Sequence, residues 1–231
     1  MISRYGWRSP LVAMALAGCG AEARAPAAEE APPAPVGGDR GRIVFLGTSL
    51  TAGFGLDPAQ AFPALIQRKL DAEGLRFEAV NAGVSGETSA GARRRIEWVL
   101  QQPATVLVVE TGANDGLRGL EVDSLHSNLQ AIVDQARRQS PKPAILLVGM
   151  RAPPNLGSDY SRRFQRVYRD LAEQNELPLV PFLLEGVAGR SALNQSDMIH
   201  PTAEGQARIA ETVWEVLEPL LKSGPSARSP P

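Results

Sequence analysis

One cysteine and two histidines are all that the 231-residue chain holds of the residues that most often bind metal or form crosslinks, and aromatic residues make up only 5% of it. A single cysteine excludes an internal disulfide framework, and with two histidines it excludes a zinc centre built from Cys and His clusters. No sign of charge prevails, because 24 Lys+Arg stand against 25 Asp+Glu for a net charge of -1. Without a basic excess to neutralise a phosphate backbone, nucleic acid is not an expected partner. What the chain does have is 43% hydrophobic and 21% charged residues, the balance of a soluble globular domain rather than a disordered, fibrous or polytopic membrane protein. Any chemistry must use very few special residues, and neither metal nor cofactor is expected.

The N-terminus carries Arg4 and Arg8, a short apolar run over 11–17, then small residues up to Cys19. That run is shorter than the about 20 apolar residues a membrane-spanning helix needs, and it reads as a secretory signal peptide. Leu16-Ala17-Gly18-Cys19 resembles the lipobox of bacterial lipoproteins, in which cleavage before the cysteine leaves its thiol carrying a diacylglyceryl group. On that reading residues 1–18 are the signal peptide, Cys19 is the lipidation site, and the mature chain is held on the periplasmic side of a bacterial membrane. The outer membrane is preferred because Gly20 stands where an Asp would hint at inner-membrane retention. The competing reading is a plain secretory signal with a coincidental cysteine. Residues 19–41 are dominated by Ala, Pro, Glu and Gly and should form an extended, solvated tether. Residues 223–231 read as a loose tail, so the folded domain is expected over 42–222.

Within that span, short apolar runs alternate with longer amphipathic ones. Strands are expected at 43–46, 77–81, 105–110, 144–150 and 179–182, rich in Val, Leu and Ile without period-two alternation, as in a parallel sheet buried on both faces. Helices are expected at 62–73, 88–101, 123–139, 160–175 and 202–221; the third shows its period plainly, with Leu125, Leu129, Ile132, Val133 and Ala136 on one face. Strand followed by helix, repeated, predicts a doubly wound α/β fold with a parallel sheet of about five strands. Ligands in such folds bind beyond the carboxyl ends of the strands.

Directly after the first strand, Gly47-Thr48-Ser49-Leu50-Thr51-Ala52-Gly53 sets a serine in a glycine-flanked turn that leads into helical structure. A hydroxyl there is exposed near a helix N-terminus, which favours developing negative charge. A simple helix cap is the alternative, and a phosphate loop is disfavoured because the Gly-Lys-Ser/Thr ending is missing. A serine nucleophile needs a base. His126 lies in a helix and reads as a solvated face residue, whereas His200 sits in a loop before a helix that Thr202 caps. Asp197 precedes His200 by three residues, so one turn brings its carboxylate to Nδ1 while Nε2 faces the serine. After the second and third strands come Asn81-Ala82-Gly83-Val84-Ser85-Gly86 and Gly112-Ala113-Asn114-Asp115-Gly116. The Gly83 N–H and the Asn114 amide, with the Ser49 N–H, could donate to an oxyanion. Taken alone, Asn-Asp-Gly is also a good turn sequence and Gly83 could serve only a tight bend.

A serine, a glycine, an asparagine and a histidine after successive strands resemble the four motifs of the SGNH (GDSL-like) hydrolase family, matched here by Ser49, Gly83, Asn114 and His200, with Asp197 as third triad member. The family's first motif is usually Gly-Asp-Ser-Leu; Thr48 replaces that Asp, which is not the triad acid. The segments 112–119 and 149–155 look like those of the bacterial thioesterase, lysophospholipase and arylesterase subgroup. The resemblance implies a flavodoxin-like α/β/α sandwich and a shallow site. It also implies a serine esterase acting on small-molecule or lipid esters and thioesters, with an oxyanion hole from Ser49, Gly83 and Asn114, and a monomer is expected. An α/β-hydrolase is disfavoured because Thr51 stands where its Gly-x-Ser-x-Gly elbow needs the last glycine. The remaining alternatives are a carbohydrate O-deacetylase acting on cell-envelope glycan and a non-catalytic lipid-binding lipoprotein. Loops 151–160 and 183–195 should line the acyl site, with the apolar run Pro181-Phe182-Leu183-Leu184 at its border and Arg118 and Arg151 near a head group.

Overall fold

The computed structural model describes residues 40–223. Cys19, the lipobox and the tether before Arg40 lie outside the described residues, as does the chain beyond Ser223. The five apolar stretches form one sheet: β1 Gly41–Gly47, β2 Phe77–Gly83, β3 Val106–Glu110, β4 Ala144–Val148 and β5 Leu179–Val180. All neighbours pair in parallel, in the order β2-β1-β3-β4-β5. Parallel pairing forces a crossover after each strand. The long crossovers are the helices α2 Phe62–Ala72, α3 Ser89–Val99, α5 Val122–Arg137 and α6 Ser158–Asn175, and α7 Ala203–Ser223 closes the domain. Two short helices stand directly after strands, α1 Ser49–Ala52 and α4 Ala113–Leu117.

Helix α2 packs on α7, while α3 and α6 flank α5, so two helical layers enclose the sheet. The expected stripe on α5 is the buried one, with Leu125, Leu129, Ile132, Val133 and Ala136 at 0–1% exposure. Burial on both faces holds for β3 and for most of β1 and β4, but not for β2. As the edge strand, β2 buries only Phe77 fully, because nothing pairs with its outer side. From β1 the chain moves outward to β2, then crosses back over β1 to β3. The turns leaving β1 and β3 therefore diverge at their carboxyl ends, and that divergence opens a crevice between them.

Four expectations need correction. Asn114 lies inside α4 rather than in a loop. Strand β2 runs on to Gly83, two residues beyond its expected end. Strands β4 and β5 stop at Val148 and Val180, each two residues short of expectation. His126 is half-buried on α5 rather than fully solvated.

Candidate active site

Strand β1 delivers the chain to Thr48, whose hydroxyl oxygen accepts from the Leu50 N–H and caps α1. Ser49 is the first residue of that helix, so its own N–H has no intrahelical partner. Gly53, at φ 72°, ends α1 after one turn; a Cβ there would lie 2.7 Å from Ala61 Cβ, so only glycine fits.

Across the crevice, the loop before α7 carries Asp197 and His200. Asp197 Oδ1 accepts from the N–H groups of Ile199 and His200, both at 2.9 Å, which winds the four residues into a turn and holds Met198 at φ 59°. The same turn brings Asp197 Oδ2 to 2.6 Å from His200 Nδ1, and His200 Nε2 lies 3.0 Å from Ser49 Oγ. The carboxylate accepts a hydrogen bond from Nδ1–H, which keeps the proton on Nδ1 and leaves Nε2 free to accept from the serine hydroxyl. Hydrogen bonding from His200, then from the two N–H groups, holds the Asp197 pKa down at about 2, so it is ionised at any ordinary assay pH. Two residues that sequence reasoning missed fix the loop. Gln195 Nε2 donates to Phe54 O and Pro201 O, tying the loop to the exit of α1. The Phe54 ring packs on His200 with centroids 4.4 Å apart.

Asn114 Nδ2 donates to Glu87 O at 2.9 Å, so the side chain is held with its second amide hydrogen free, and it lines the same pocket as Ser49 and His200. Helix α4 exists because Asp115, buried at 3% exposure, is engaged over a long range: its carboxylate accepts from Ser89 N and Ser89 Oγ and so caps α3. Gly83 does not reach the pocket. It pairs with Gly47 inside the sheet, donates its N–H to Asn81 Oδ1 at 3.0 Å, and is glycine because a Cβ would lie 2.3 Å from Ala52 N. The glycine after β2 that lies in the pocket wall is Gly86, at φ 76°, whose N–H donates to no described residue. Its turn is anchored by the neighbouring Glu87, whose carboxylate takes Arg95 Nε and Nη2 while Arg95 Nη2 also donates to Gly47 O.

The pocket has a volume of about 300 Å³ and a mainly apolar wall that includes Leu50, Phe54, Leu117, Met150, Leu184 and Ile199. Both expected loops contribute to it, through Arg151, Pro153, Leu184, Ala188, Gly189 and Asn194. Of the apolar run after β5, only Leu184 reaches it; Phe182 and Leu183 are buried in the body of the domain. Arg151 lines the pocket but pairs with Glu185 and lies over the Phe182 ring, and Arg118 donates to Gly86 O. Behind the site, Glu110 at the end of β3 is 1% exposed, and burial raises its pKa to about 7 against the lowering effect of the Thr48 and Thr51 hydrogen bonds.

Known proteins are similar to this chain in sequence and in fold. Residues 45–208 match the GDSL-like Lipase/Acylhydrolase family. The chain is 44% identical over 181 residues to Esterase TesA of Pseudomonas aeruginosa, covering 78% of this chain and 89% of that one. It is 35% identical over 181 residues to Thioesterase 1/protease 1/lysophospholipase L1 of Escherichia coli K12, covering 78% and 84%. Among solved structures, the psychrotrophic esterase EstA of Pseudoalteromonas sp., inhibited by monoethylphosphonate, superposes with a TM-score of 0.74 at 34% identity, covering 79% of this chain and 99% of that one. By the extent of the family match and these identities, the chain belongs to the GDSL-like lipase/acylhydrolase family, the SGNH hydrolases, and is a serine ester hydrolase.

Proposed function

We propose that Ser49 is the nucleophile, His200 the general base and acid, and Asp197 the residue that orients and stabilises the imidazole. The observation that carries this reading is the unbroken chain from Ser49 Oγ through His200 to Asp197, at 3.0 and 2.6 Å. Ser49 Oγ attacks the acyl carbon as its proton passes to His200 Nε2, and the carbonyl π electrons move onto oxygen. Collapse of the tetrahedral adduct expels the alcohol or thiol, which leaves with the proton from His200. Water then repeats the sequence on the Ser49 ester and releases the acid. The oxyanion meets the Ser49 and Gly86 N–H groups and the free amide hydrogen of Asn114, with Gly86 taking the role the sequence suggests for Gly83.

A tetrahedral intermediate carries a full charge where the bound ester carries a partial one, so a donor aimed at that oxygen binds the transition state more tightly. Asn114→Ala is therefore expected to lower kcat by about 10²- to 10³-fold with little change in KM. Circular dichroism melting of the same variant separates this role from a structural one: a midpoint falling by several degrees with kcat kept within threefold would make Asn114 a helix residue only.

The apolar wall supports esters and thioesters of short to medium acyl chains as substrates, and the volume lies at the low end of small-ligand pockets. A panel of p-nitrophenyl esters, acyl-CoA, lysophospholipid and acetylated glycans tests this. Octanoyl esters should exceed acetylated xylan in kcat/KM, and a tenfold advantage for acetylated glycan would make the enzyme a deacetylase instead. For location, the reading rests on Leu16-Ala17-Gly18-Cys19: a lipid on Cys19 holds the enzyme on the periplasmic side of a membrane. No helix among the described residues is long and apolar enough to cross a membrane. Mass spectrometry of the mature N-terminus from the native host should find an acylated Cys19; a free N-terminus at another residue contradicts it.

A further inference from the structure

We propose that Glu110 is a positioning residue for the nucleophile: its carboxyl, sealed behind the site, gathers the one-turn helix α1 so that Ser49 Oγ and the Ser49 N–H hold their aim. This inference rests on Ser49 being the nucleophile. Glu110 Oε2 accepts from Thr48 N at 2.8 Å, Thr48 Oγ1 at 3.0 Å and Thr51 Oγ1 at 2.8 Å, and Oε1 lies 3.1 Å from Thr48 Oγ1. These contacts bracket Ser49 from both sides in the chain. They are buried, since Thr48 and Thr51 have no exposed surface, and Glu110 takes no part in lining the pocket.

A helix of four residues cannot hold itself. Three backbone bonds do not offset the cost of nucleation, and those of α1 run from Ala52 N–H to Thr48 O and from Gly53 and Phe54 N–H to Ser49 O. Its conformation must come from outside: Gln206 Nε2 and Asn81 Nδ2 donate to the Leu50 and Thr51 carbonyls, and among the described residues the Glu110 carboxyl is the group that accepts three donors from Thr48 and Thr51 at once. The packing is tight enough to dictate the residue before it. A Cβ on Gly47 would lie 1.9 Å from Thr51 Oγ1 and 2.8 Å from Glu110 Oε2. An apolar residue at 110 would avoid the desolvation that raises this acid toward neutrality, but would leave the Thr48 N–H and two hydroxyls buried without an acceptor. Glutamine can keep the acceptor at Oε2 and offer its amide hydrogens to the Thr48 hydroxyl, so it should preserve the arrangement.

The test compares Glu110→Leu with Glu110→Gln and Thr51→Val with Thr51→Ser, reading kcat, KM, the thermal midpoint and the rate at which a phosphonate ester labels Ser49. In Glu110→Leu, kcat and the labelling rate should fall together by about 10²-fold, the order expected for a displacement of about 1 Å, while KM stays within threefold. Thr51→Val should show a smaller loss of the same kind. Glutamine and serine should each recover most of the activity their partners lose. Should Glu110→Leu fail to fold, the nearly isosteric Thr51 pair decides. A folded Leu or Val variant with kcat and labelling within threefold of wild type overturns the proposal. So does a loss confined to KM, or a Gln variant no better than Leu. Label on a residue other than Ser49 in the wild type overturns the nucleophile assignment and this inference with it; label on Ser49 at unchanged rates overturns this inference alone.

Discussion

Ser49→Ala should lower kcat by about 10⁴- to 10⁶-fold, His200→Ala should do much the same, and the double variant should be no worse than either single one. The three results belong together because the two side chains act as a unit. A hydroxyl without a base 3.0 Å away is a poor nucleophile at neutral pH, and an imidazole without that hydroxyl has nothing to deprotonate. KM should move little, since the apolar side chains of the pocket wall, Leu50, Met150 and Leu184 among them, stay in place. Thermal midpoints should shift only slightly, because neither side chain belongs to the apolar core. Steady-state kinetics on a p-nitrophenyl ester, with melting curves alongside, provides the check; additive losses in the double variant would mean that the two residues do not share one step.

Asp197→Asn should cost about 10⁴-fold in kcat while leaving the fold of its loop intact. An asparagine oxygen in the place of Oδ1 still accepts from the Ile199 and His200 N–H groups, so the turn survives. At Oδ2 the substitution puts an amide donor against His200 Nδ1, which then must accept; the ring proton moves to Nε2 and faces Ser49 as a donor, the wrong tautomer for a base. The pH dependence follows from the sign of the shift. Asp197 has its pKa lowered from 3.8 to about 2, so whatever it contributes to the native state is present above the ordinary value and is lost only as pH falls toward 2. Between about pH 4 and 8 the activity profile should therefore show no limb from Asp197. In Asp197→Asn the native pH profile should not be recovered by raising the pH, because the defect is one of tautomer and not of charge.

The sheet was legible because four of its five strands read as apolar runs with no alternation, the mark of residues covered from both sides, and α5 announced itself by its stripe. The contact between Asp197 and His200 was legible for a local reason: three residues of separation suffice to close the Asp197 turn. Longer-range facts were not. Asn114-Asp115-Gly116 carries the chemistry of a turn, and it forms a helix because Asp115 bonds to Ser89, 26 positions away in the chain. Gly83 and Gly86 are equivalent in a sequence read alone; only the pairing of Gly83 with Gly47 shows that the strand continues past Asn81 and that the pocket wall begins later. Glu110 reads as the polar end of an apolar strand, which would ordinarily face water. Its burial under α1 depends on β1 and β3 being neighbours, and no local pattern carries that. Phe182 and Leu183 look like an acyl groove for the same reason in reverse, since apolar residues that pack and apolar residues that bind have identical composition.

The central claim is that esters are cleaved through a covalent intermediate on Ser49, and mapping the adduct of a phosphonate ester, a stable analogue of the tetrahedral species, tests it most directly. Peptide mass spectrometry should find one adduct per chain, on the peptide that contains Ser49, and none in Ser49→Ala. An adduct on any other residue, or one that persists when Ser49 is replaced, would contradict the account.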